Sequence, residues 1–149
     1  KVALEGNPNA IAFPRPMHDS GNFDFSFSGL KTAVRVRLAQ HPNDSVEDIA
    51  ASFQQAVVDS LVDKTLAAVS KFQPLSVILS GGVSANHALR TTLRDKLADR
   101  FPDITFHAPD LSLTGDNAVM IAIAGLFRAK RNQFVDPLTL EADPNMRLV

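Results

Sequence analysis

The apolar positions change period several times along the chain, and each change marks an element. Phe23, Phe25 and Phe27 alternate with Asp24 and Ser26, a period of two that predicts a half-buried strand. Ser28 and Gly29 break it. Leu30, Ala33, Val34 and Leu38 then take up helical spacing, with Ser28 placed to act as N-cap and Lys31, Arg35 and Arg37 on the solvated side. After a turn at Pro42, Ser45 is a second N-cap, with Asp48 three residues on as a variant capping box. The stripe Val46, Ile49, Phe53, Val57, Leu61, Ala68 and Phe72 predicts a scaffold helix of about seven turns, closed by Pro74.

Residues 75–79 form a continuous apolar run, the pattern of a strand buried on both faces. A helix over 84–100 follows. Ala85, Leu89, Leu93 and Leu97 form its inward stripe, and Arg90, Arg94, Lys96 and Arg100 make its outer side basic. Residues 104–107 read as a second strand, and strand–helix–strand order predicts parallel pairing through a crossover. Residues 118–129 are apolar nearly all round, which predicts a buried helix, with Arg128, Lys130 and Arg131 at the end where cations suit the dipole.

The two ends read as irregular: a Pro-rich lead-in over 1–22 and a polar tail over 132–149. Within the lead-in, F-P-R-P-M at 13–17 is held extended by its prolines, and Arg15 is a candidate for an exposed contact. At 149 residues, 45% apolar and 21% charged, the chain has the size and composition of one soluble globular lobe. A net charge of −1 requires any nucleic-acid surface to be local. The absence of cysteine removes disulfides and thiolate chemistry and fits a cytoplasmic origin. No apolar run is long enough to span a bilayer, and no signal-peptide pattern is visible. The start at Lys1 suggests a piece of a longer protein.

Two stretches carry candidate chemistry. Ser80-Gly81-Gly82 ends the apolar run and opens the next helix. Such a turn either serves only the backbone angles of a strand–helix connection, or lets a ligand approach the chain beside free helix N–H groups. Asp116 immediately precedes the apolar helix. It either caps that helix or offers a carboxylate to a metal or ligand. The four histidines, at 18, 41, 87 and 107, form no H-x-x-x-H pair, and no G-x-S-x-G or P-loop occurs.

Four stretches taken together resemble one family: F-P-R-P-M at Phe13, D-F-S-F-S-G-L-K-T-A-V at Asp24, S-G-G-V-S-A-N-H-A-L-R at Ser80 and G-D-N-A-V-M-I-A at Gly115. In this order they resemble the C-terminal half of the TsaD family, tRNA N6-adenosine threonylcarbamoyltransferases formerly described as glycoproteases or O-sialoglycoprotein endopeptidases. The resemblance implies an α/β fold, the second lobe of an actin/hexokinase/chaperone-type (ribonuclease H-like) architecture, with parallel strands and crossover helices. It implies transfer of a threonylcarbamoyl group from threonylcarbamoyl-adenylate to N6 of the tRNA adenosine next to the anticodon. Implied partners are TsaB- and TsaE-type proteins and a missing N-terminal lobe, without which this chain alone is expected to be inactive. The implied cofactors are an adenine nucleotide, contacted by Asn86, Gly81 and Gly82, and one divalent metal, iron or zinc, bound by Asp116 and by histidines absent here. The family's C-T-D-N is T-G-D-N in this chain, at residues 114–117, so the ligand is kept while its loop differs. A sugar or acetate kinase lobe, or a metallopeptidase, is the alternative reading.

Overall fold

The computed structural model describes residues 1–115 and 118–141. The chain forms two compact units, Lys1–Thr114 and Gly115–Val149. The first contains helices α1 (Ser28–Gln40), α2 (Val46–Phe72) and α3 (His87–Arg100), and strands β1 (Ser76–Ile78) and β2 (Thr105–His107). The second contains α4 (Ala118–Lys130). The fold class is α/β, with a small parallel sheet: β1 pairs with β2, and Val77 lies opposite Phe106.

The core of the first unit has two clusters, both built on α2. Val58, Val62, Leu66 and Val69 recur at three- and four-residue spacing along it and meet Leu89, Leu93 and Leu97 of α3, with Val77, Leu79 and Phe106 of the sheet packed against them. The second cluster joins Ile49 and Ala56 to Leu30 of α1 and to Phe13 of the lead-in. The α3 stripe is therefore as predicted, except that Ala85 is exposed in the short 3-10 turn before the helix.

Several expectations are corrected. The anticipated α2 stripe supplies only Ile49 to the buried set, while Val46, Phe53 and Phe72 are exposed. Val58, Val62, Leu66 and Val69 face α3 and the sheet instead, while Ser52 lies under the lead-in, so two sides of α2 other than the stripe are covered. The uncovered stripe joins Phe27, Val34 and Leu38 in an open apolar groove of about 660 Å³ that also touches Val83. Residues 23–27 form no strand. Among the described residues nothing pairs with their backbone as a ladder; instead Phe23 meets Phe72 at 5.4 Å between ring centroids, and Phe25 stacks on Phe27 at 6.4 Å. Ser28 lies inside α1, whose N-cap position is Phe27, with no side-chain cap.

The β1 strand is covered on one face only. Val77 and Leu79 turn to the core, while Leu75 and Ile78 are 90% and 71% exposed. α4 has no buried residue, contrary to its all-round apolar pattern. A single helix and the turns that follow give its own unit no second layer to surround it. In the region read as a tail, the Asp136 side chain accepts from the Leu138 N–H at 2.9 Å and closes a turn. No helix among the described residues is long and apolar enough to cross a membrane.

The lead-in contains a 3-10 turn at Val2–Leu4 and runs beside α2. Asp48 does not return to Ser45 as a capping box would; Ser45 Oγ accepts from the Asp48 N–H at 3.2 Å, and the Asp48 carboxylate accepts from the Asn7 N–H at 2.7 Å. Arg15 is not a free contact: its guanidinium pairs with Asp59 at 2.6 Å and donates to the Phe13 carbonyl.

Candidate functional site

The site read from the sequence is the turn between β1 and α3. Gly81 has φ +85°, a left-handed conformation that strains any residue with a Cβ. A Cβ placed on Gly81 or Gly82 would meet nothing within 4 Å, so both glycines border open space. The chain then makes a 3-10 turn over Gly82–Ala85, closed by Ser84 N–H donating to the Gly81 carbonyl at 2.9 Å.

Asn86 stands at the N-cap of α3. Its Oδ1 accepts from the Leu89 N–H at 3.0 Å, and its Nδ2 donates to Gln54 Oε1 of α2 at 2.9 Å. The cap relieves one of the free donors at the helix start and fixes the rotamer of the side chain. Arg90, one turn along, was read as part of a basic outer face. It turns inward and donates to the carbonyls of Ser84 and, at 2.6 Å, Pro109. It thus ties the glycine turn to the loop that follows β2. Neither Gln54 nor Arg90 was legible as a site residue, since their partners lie 32 and 19 residues away.

Ser84 is fully buried within the turn, and its hydroxyl has no hydrogen-bond partner among the described residues. A buried unpaired hydroxyl is costly, so most buried polar groups have a partner.

Asp116, the expected metal ligand and helix cap, lies outside the described residues, as does Asn117. Among the described residues no three His, Asp or Glu side chains gather where they could hold a metal ion. Gly81, Gly82 and Asn86 are brought together by the turn.

The structure defines the class: an α/β unit in which a short parallel strand passes through a glycine turn into a capped helix. The TsaD family profile, described as tRNA N6-adenosine threonylcarbamoyltransferase, matches residues 1–123. A protein of that name from Thermotoga neapolitana is 47% identical over 146 residues, covering 98% of this chain and 44% of its own length. Those from Kosmotoga olearia and Geobacillus kaustophilus are 42% and 43% identical, over 99% and 100% of this chain and 44% of their own lengths. The chain belongs to the TsaD family. It spans about 44% of the length of these relatives.

Proposed function

We propose that this chain is part of a tRNA N6-adenosine threonylcarbamoyltransferase and supplies one wall of its nucleotide site. The observation that carries the reading is the coincidence of the family match over residues 1–123 with a turn whose two glycines are open and whose asparagine is held in one orientation. Asn86 is the side chain that meets the nucleotide, and Gly81 and Gly82 let it approach the backbone. In the reaction, N6 of the adenosine attacks the carbonyl carbon of threonylcarbamoyl-adenylate. The new C–N bond forms, the bond from that carbon to the phosphate oxygen breaks, AMP departs, and N6 loses a proton. The contribution of this unit is positioning, which converts an encounter of two large reactants into an oriented one.

The finer parts of the reading rest on the family resemblance. They are an actin/hexokinase-type two-lobe architecture, a cytoplasmic setting, TsaB- and TsaE-type partners and a metal ligand at Asp116. A divalent cation there would supply a Lewis acid and a template. The other ligands would come from the portion of the protein that this chain does not contain, and the chain alone would be inactive.

The test places Asp116→Asn and Asn86→Asp in the full-length protein and measures tRNA threonylcarbamoylation, metal content and thermal stability. Asparagine and aspartate both cap helices well, so stability should hold in each variant. Activity should fall in both, and metal content only in Asp116→Asn, on the order of tenfold or more. Normal activity in both variants overturns the assignment.

A further inference from the structure

The Asn86 side chain has two ends, and the fold engages each of them once. The Leu89 N–H can only donate, so the atom that receives it at 3.0 Å must be Oδ1. The amide nitrogen then faces Gln54 at 2.9 Å, and because that nitrogen donates, the Gln54 atom opposite it must be Oε1. One backbone donor thereby fixes the orientation of both amides. Gln54 is half-buried on α2, a helix held by both core clusters, so the acceptor it offers is rigidly placed.

An amide nitrogen carries two hydrogens. Gln54 takes one. The carbonyl of Asn86 is engaged by the α3 cap, and the second amide hydrogen has no partner assigned among the described residues, so it is the donor that can be offered to a ligand. We infer that Gln54 is a positioning residue that holds Asn86 as a hydrogen-bond donor, so that Asn86 meets an acceptor on its ligand: a phosphate or ribose oxygen, or a ring nitrogen. This rests on the reading of Asn86 as a nucleotide contact. Without Gln54 the amide could rotate once the cap breathes, and its free hydrogen would no longer be aimed.

The experiment measures ATP affinity, by calorimetry, for Gln54→Leu, Gln54→Glu and Asn86→Asp in the full-length protein, with thermal stability alongside. Gln54→Leu keeps a good helix former but removes the acceptor, and should weaken ATP binding roughly fivefold, the worth of one well-placed hydrogen bond. Gln54→Glu keeps an acceptor and should bind like the wild type. Asn86→Asp keeps the cap and replaces the donor with an acceptor, and should weaken binding more than Gln54→Leu. If Asn86→Asp binds normally, the nucleotide role of Asn86 is wrong. If Asn86→Asp is weak while Gln54→Leu binds normally, or Gln54→Glu is as weak as Gln54→Leu, that role stands and the positioning role of Gln54 is overturned. In the 149-residue chain, slowed exchange of the Asn86 side-chain amide that is lost in Gln54→Leu is the expected accompaniment; unchanged exchange also counts against the inference.

Discussion

The Lys64 ammonium donates to the carbonyl oxygen of Asn22 at 2.6 Å, and to Ser20 Oγ at 2.7 Å. Lys64 is buried on α2, and these are neutral acceptors on a loop more than forty residues away in the chain. It is the last of a series of polar ties. Asn7 meets Asp48 and Ser52, Ile11 meets Ser52, Arg15 meets Asp59, and His18 lies 3.6 Å from Asp63. The lead-in is thus a strap running parallel to α2 and fastened along its length.

Lys64→Met keeps the aliphatic stem and removes both donors at the far end of the strap. The expected cost is about 1–2 kcal/mol, measured as a drop in urea midpoint without a change in slope. Proteolysis within residues 18–23 should quicken in parallel. An unchanged midpoint and cleavage rate would mean that Lys64 is merely accommodated there.

At the near end, the strap passes Gly6 so closely over α2 that a Cβ would lie 2.0 Å from the backbone oxygen of Glu47. Neither side of that contact is a flexible side chain. Gly6→Ala should force the strap away, loosen the Asn7–Asp48 bond and cost about 1–3 kcal/mol, as overpacking does. Wild-type stability with the Asn7 amide still protected from hydrogen exchange would contradict this.

What was legible in the sequence is what depends on neighbours in sequence. The i,i+4 leucines of α3, the Ser45 cap and the strand–helix–strand order that predicts parallel pairing all survive in the structure. The facing of α2 was not legible, because more than one side of it carries apolar residues and only distant segments, the strap, α3 and the sheet, decide between them. The same holds for cations. Arg15, Lys64 and Arg90 look like ordinary solvated residues, yet each is held by partners that only the fold brings near. At the candidate site, Gly81, Gly82 and Asn86 were visible as a motif, whereas the acceptor from Gln54 was not.

The facing of α2 can be tested by a pair of truncations. Leu66 is buried in the first cluster, and Leu66→Ala should cost about 2–5 kcal/mol through lost burial and the cavity left behind. Phe53 belongs to the stripe expected to face inward, but it is 40% exposed along the groove. Phe53→Ala should therefore cost well below the ~3–5 kcal/mol typical of a core phenylalanine. Chemical denaturation of the two variants under one condition decides the matter, and a larger loss for Phe53→Ala would restore the original facing.

The last prediction concerns acid. The Arg37 guanidinium hydrogen-bonds the Asp44 carboxylate at 2.5 Å and holds its pKa below the ordinary 3.8. A carboxylate whose folded pKa is depressed gives up its proton more readily in the native state than in the unfolded chain. Its contribution to stability is therefore fully present above the unfolded value and is lost as pH falls through the lower folded one. Glu47 behaves alike: the Ser45 hydroxyl donates to it at 2.7 Å and lowers its pKa from 4.5. Both groups flank the start of α2, so acid should loosen the junction between α1 and α2. Thermal midpoints recorded downward from about pH 5 should fall more steeply for the wild type than for Asp44→Asn, which has no proton to take up. Arg37→Gln should flatten the profile in the same way while leaving Asp44 ionised at neutral pH. The differences should be small, since exposed ion pairs contribute little, and should shrink further in high salt. Parallel profiles for all three proteins would show that the pair does not couple to folding.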